Sequence, residues 1–163
     1  MAITRREFLE RSGAIAAWAM LPTLKGCGPS SEGDGFPIYE YDGPLGPDNL
    51  FAEGVASGDP LADSVILWTR VTPPESEAEF VRVFAEVSEN IDFKVRVATA
   101  YYAVDSSRDH CLKLDVTDLE PATTYYYRFQ SLGRTSPVGR TRTAPSGEAT
   151  HLRFAVASRV RAR

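Results

Sequence analysis

The sequence predicts an all-β domain, an immunoglobulin- or fibronectin type III-like sandwich, with a signal helix at its N-terminus. Three observations carry that expectation. Between residues 50 and 145, short segments rich in β-branched and aromatic side chains recur at even spacing. Turn formers separate them: Gly58-Asp59-Pro60, Pro73-Pro74, Ser106-Ser107 and Leu132-Gly133. No segment of useful length in this stretch repeats at a helical period. Strands are expected at 51–57, 64–71, 80–88, 93–102, 110–116, 124–132 and 139–143. Seven strands in about a hundred residues match the count of such a sandwich.

Residues 1–26 come first and carry the parts of an export signal. Arg5-Arg6 supplies the charged region, residues 13–21 a short apolar stretch, and Pro22 a breaker followed by small residues. Thr4-Arg5-Arg6-Glu7-Phe8-Leu9 resembles the twin-arginine motif, whose translocase moves folded proteins. Glu10 stands where that motif more often has Lys, and Lys25 fits the twin-arginine route better than general secretion. The competing reading is an amphipathic helix in which Thr4 and Glu7 form a capping box.

Leu24-Lys25-Gly26-Cys27 resembles a lipobox, which makes Cys27 a candidate for lipid attachment to a membrane. Lys25 is unusual in that pattern, and the alternative is a cleaved signal with Cys27 an incidental thiol. Residues 27–49 are dominated by Gly, Pro, Ser and acids with no periodic apolar face. They are expected to be a linker that holds the domain clear of a membrane surface.

Within the sandwich, residues 80–87 alternate imperfectly between an apolar face and a face bearing Arg82 and Glu86. Trp68, in SVILWTRV, is expected in the core. Leu119, Pro121, Thr123 and Tyr125 are spaced as in the tyrosine corner of fibronectin type III domains, where the Tyr hydroxyl turns back onto preceding backbone. Trp68 and Tyr125 are read as structural, because a sandwich core needs large aromatic filler. Tyr101-Tyr102 and Tyr125-Tyr126-Tyr127 invite a stacking face for a carbohydrate or base. Successive strand residues face opposite sides, which divides each run and favours ordinary packing.

The charge balance narrows the function. The first 26 residues carry +2 and the rest of the chain −6. An acidic body argues against nucleic-acid binding, which needs clustered Lys and Arg. Cys27 and Cys111 are too few for a disulfide framework, and no run of apolar residues is long enough for a membrane span. His110 and His151 are the only histidines. Cys111 reads as a small buried residue, His151 as an exposed hinge residue, and Asp59 and Asp63 as turn formers. Gly54 and Gly58 precede no helix and form no phosphate cradle. No catalytic constellation and no metal site is found.

FAEGVASGDPLADSVILWTRVTP, LEPATTYYYRF and SPVGRTRTAP occur in that order. Together they resemble the N-terminal domain of PhoD-like alkaline phosphatases, also called the phospholipase D N-terminal domain, over residues 50–158. The resemblance implies a sandwich that precedes a larger metallophosphatase domain. That domain would bind iron and calcium and cleave phosphomonoesters or phosphodiesters. Residues 153–158 are similar to its first strand, after which the family has an iron-ligating Cys; Arg159 stands here instead. The expectation is therefore a non-catalytic fragment, cut before its catalytic domain by a reading-frame shift or gene break, with residues 146–163 a hinge and truncated strand. The alternative is an independent surface module that binds a partner or polymer through a sheet face.

Overall fold

Alternation along each strand decides which side chains meet in the interior. The computed structural model describes residues 35–74 and 79–147. The export motif at Arg5, Arg6, Phe8 and Leu9, Cys27, His151 and the strand expected at 153–158 lie outside the described residues. The strands are β1 (Val55–Gly58), β2 (Val65–Arg70), β3 (Phe80–Ser88), β4 (Arg96–Asp105), β5 (Cys111–Val116), β6 (Thr124–Ser131), β7 (Arg134–Thr135) and β8 (Gly139–Arg142). They form two antiparallel sheets. One has the order β1-β2-β5; the other runs β4-β3-β6, and both β7 and β8 pair with β6.

The first and fourth strands start later than expected, for local reasons. Leu50, Ala52 and Gly54 donate their N–H groups to the carbonyls of Pro47, Asn49 and Phe51, so the chain turns before β1 can begin. Before β4, the Asn90 side-chain oxygen accepts from the N–H groups of Lys94 and Val95 and holds a loop. Asn and Asp compete with strand ladders in this way.

The interior is filled from both sheets. Val65, Leu67, Leu112, Leu114 and Val116 come from one; Val81, Val83, Ala85, Val87, Tyr125, Tyr127 and Phe129 come from the other. Tyr125 is 1% exposed, and its hydroxyl oxygen accepts from the Glu120 N–H at 2.9 Å. That contact ties the turn after β5 to the start of β6. β8 approaches β6 closely because Gly139 stands opposite Tyr127, and a Cβ there would lie 2.2 Å from the ring.

Trp68 does not belong to this core. Leu67 and Thr69 point inward, so period two turns Trp68 to the opposite face of β2, where it is half-buried. The large filler assigned to it is supplied by Phe129 and Tyr125.

The segment read as a linker also behaves differently where it is described. Residues 36–46 run as a strap across the outer face of the larger sheet. Arg96 donates to the carbonyls of Phe36 and Pro37, and the Tyr39 ring stacks on Phe84 at 5.9 Å. The Tyr39 hydroxyl accepts from the Gly133 N–H, and the Gly46 N–H donates to the Leu132 carbonyl. Gly46 is needed at that contact, because a Cβ would stand 2.9 Å from the Leu132 Cβ. Composition suggested a free tether; Tyr39 and the flanking arginines dock it.

Candidate functional site

The most concentrated charge of the described molecule is also its most enclosed. β3 places Phe84, Glu86 and Ser88 on the outer face of the larger sheet, and all three are buried. Glu86, 3% exposed, takes the Arg128 guanidinium of β6 on one carboxylate oxygen. Arg96 of β4 reaches the other at 3.5 Å, with 10% of its side chain exposed. Arg128 also lies over the Phe93 ring, 4.1 Å from its centroid. A carboxylate shut away from water by a lid must be paired, as two cations pair this one. Here the lid is the strap and the loop before β4. Thr99 on β4, opposite Glu86, has a buried hydroxyl with no hydrogen-bond partner.

Elsewhere two carboxylates are similarly committed. Asp109 is held bidentately by Arg70 at 2.9 Å, which pulls its carboxyl below the usual Asp range and pushes Arg70 upward. Asp105 accepts from the Ser107 hydroxyl and N–H, and its carboxyl is lowered by those bonds. His110 sits in the same turn, its N–H on the Asp105 carbonyl, with Asp109 and His110 both in left-handed backbone at φ 53° and 51°. Cys111 follows as a half-buried free thiol at the start of β5. Asp59 and Asp63 are exposed turn residues beyond β1.

Among the described residues, no group of three or more His, Cys, Asp and Glu side chains could hold a metal ion. Iron and calcium, implied by the family resemblance, do not fit these residues. Glu86 and Asp109 are paired with arginines, and Asp105 is held by the Ser107 hydroxyl and N–H.

The aromatic runs are divided by alternation. Tyr125 and Tyr127 point inward while Tyr126 faces out. Burial raises Tyr127, with a Ser57 hydrogen bond opposing, and burial raises Tyr39 and Tyr102 as well. Tyr101, 38% exposed, meets Phe84 at 4.6 Å with Arg82 over its ring at 4.9 Å. This Tyr39–Phe84–Tyr101 cluster packs the strap rather than presenting a flat stacking platform. Sequence reasoning missed it, together with the Glu86–Arg96–Arg128 group. The available signal was Phe84-Ala85-Glu86-Val87, where apolar residues on both parities of one strand mark burial on both faces.

Comparison with known proteins agrees with this geometry. Residues 44–145 match the family described as PhoD-like phosphatase, N-terminal domain. Alkaline phosphatase D of Bacillus subtilis (strain 168) is 34% identical over 161 residues, which is 94% of this chain and 26% of that protein. The chain thus spans about a quarter of the length of the curated relative it matches. A solved structure of PhoD is 39% identical over 61% of this chain and 20% of that one, with a TM-score of 0.56. The sixth fibronectin type III domain from human fibronectin type III domain containing protein 3 is 20% identical over 60% of this chain, with a TM-score of 0.41. The sandwich, with its tyrosine corner and its match over most of the folded residues, belongs to the family of PhoD-like phosphatase N-terminal domains.

Proposed function

We propose that this chain supplies the exported, non-catalytic N-terminal sandwich of a PhoD-like alkaline phosphatase or phosphodiesterase. The observation that carries the reading is the position of the family match, which covers the sandwich and belongs to the N-terminal domain of such enzymes. Phosphoester hydrolysis requires an activated nucleophile and preorganised charge at the reacting phosphorus. Two charged groups of the sandwich are instead held in ion pairs, Glu86 with Arg96 and Arg128, and Asp109 with Arg70. Hydrolysis is assigned to a metallophosphatase domain as the sandwich's partner.

Export rests on Arg5, Arg6, Phe8 and Leu9, read by the twin-arginine translocase, and places the domain in the periplasm, at the cell surface or outside the cell. Lipid attachment at Cys27 would add a membrane contact.

The test assays the purified full chain for phosphomonoesterase and phosphodiesterase activity with calcium and iron added. No turnover is expected. Turnover that follows the protein through purification would overturn the non-catalytic reading. Export is tested separately by replacing Arg5 and Arg6 with Lys, which should retain precursor in the cytoplasm. Undiminished export of that double variant removes the twin-arginine route, and mass spectrometry of an unmodified Cys27 in the mature protein removes the lipid.

A further inference from the structure

Antiparallel pairing defines two poles of the sandwich. β3 ends, and β4 and β6 begin, at one of them, because Ser88 stands opposite both Arg96 and Tyr126. β8 ends there too, with Arg142 opposite Thr124. The chain leaves at this pole: Thr143 donates its N–H to the Thr123 carbonyl and Ala144 to the Leu61 carbonyl. β2 begins and β5 ends at the same pole, joined by the Leu119 N–H on the Asp63 carbonyl. β1 begins at the other pole, since Val55 pairs with Thr69 near the far end of β2.

A chain that first met the sandwich at β1 would therefore enter at one pole and leave at the other. The domain would then be a spacer of about 30 Å, the length of a nine-residue strand at roughly 3.3 Å per residue. The strap changes this. Arg96, at the exit pole, holds the carbonyls of Pro37 at 2.8 Å and Phe36 at 3.1 Å. From there the strap descends across Phe84 to the turn after β6, where Gly133 binds the Tyr39 hydroxyl at 2.9 Å. The Arg134 side chain holds the Gly46 carbonyl at 2.7 Å. Its two attachments thus grip opposite corners of the sheet, at edge strand β4 and at the β6–β7 turn.

We propose that residues 36–46 are a clasp that brings the incoming chain back to the exit pole. Residue 36 and residue 147 then stand at one end of the sandwich, which becomes a side-mounted module and not a spacer. Residues 36–43 lie upstream of the matched family segment and yet form part of the folded unit. The clasp depends on strand pairing and strap contacts, and stands whether or not the phosphatase reading does.

The test measures distances by electron–electron resonance in the full chain, with Cys27 and Cys111 changed to Ser. One sample carries spin labels at Ile38→Cys and Ser146→Cys, the other at Leu45→Cys and Ser146→Cys. Ile38, Leu45 and Ser146 are exposed. The clasp predicts a narrow distribution for the first pair, centred at a shorter distance than the second. Arg96→Ala, which releases the upper attachment, should broaden the first distribution at least twofold. A first distribution as broad as that of a free chain, or centred beyond the second, overturns the clasp. So does an Arg96→Ala sample that keeps its sheet signal in circular dichroism and shows no broadening. Should that variant lose its sheet signal, the parent pair decides alone.

Discussion

The two sheets meet across one core but treat their outer faces differently. In the smaller sheet β2 and β5 alternate cleanly: Val65, Leu67 and Thr69 are buried, while Ile66, Trp68 and Arg70 are partly open to solvent. In the larger sheet β3 is buried on both faces from Phe84 to Ser88, because the strap and the loop before β4 close over it. A sheet with one wet face tolerates Lys113 and Asp115 outside at no cost. A sheet covered on both faces must pair the charge it encloses, and this one does so with two arginines around Glu86. The difference locates where substitutions hurt.

The largest expected effect contrasts two aromatic residues that each lie on an outer face. Phe84 is 0% exposed beneath Tyr39 and Tyr101, so Phe84→Ala should cost about 3–5 kcal/mol in denaturant unfolding. Trp68 is half-buried on the open sheet, and Trp68→Ala should cost less than half as much, on the order of 1–2 kcal/mol. Equal losses would erase the distinction between the sheets.

Next comes the enclosed carboxylate. Glu86→Ala leaves Arg96 and Arg128 without their shared partner, and removing one member of a buried pair costs about 3–5 kcal/mol. Because Arg128 keeps partial access to water, the loss should fall toward the lower end of that range. A change under about 0.5 kcal/mol, the usual size for an exposed pair, would mean that the lid is open in solution.

A smaller effect belongs to the corner. Tyr125→Phe removes one hydroxyl acceptor from the Glu120 N–H and should cost about 0.5–1.5 kcal/mol while the fold persists. The smallest concerns acid. Arg70 lowers the Asp109 carboxyl, so the pair contributes stability above the unfolded Asp value of about 3.9 and loses it as pH falls through the lower folded value. Unfolding followed from pH 6 down to 2 should show a shallow, salt-sensitive loss beginning below about pH 4. Asp109→Asn should flatten it, and an unchanged slope would assign the acid sensitivity to other carboxylates.

These contrasts also mark what could be read from the sequence. The strand segments and the tyrosine corner were legible because period two and turn formers are local signals. The face of Trp68 was not read from parity with Leu67, although the alternation was present, because a large aromatic was assumed to fill the core. The strap escaped because Gly, Pro and acids dominate residues 27–49, and its docking depends on Tyr39 meeting Phe84 and Gly133, some 45 and 94 positions away. The Glu86 group escaped for the same reason. Its partners Arg96 and Arg128 come from two neighbouring strands, and only the sheet register brings them together. Long-range pairing is what composition leaves out.

The central claim is that the larger sheet is completed by chain that precedes the first strand. Hydrogen exchange at two amides tests it most directly, because the Gly133 N–H is bonded to the Tyr39 hydroxyl and the Gly46 N–H to the Leu132 carbonyl. Both should exchange slowly in the folded full chain, within about tenfold of the β3 amides, and Tyr39→Ala should release Gly133 while β2 and β5 stay protected. Exchange of Gly46 and Gly133 at free-peptide rates, with β3 still protected, would contradict the account.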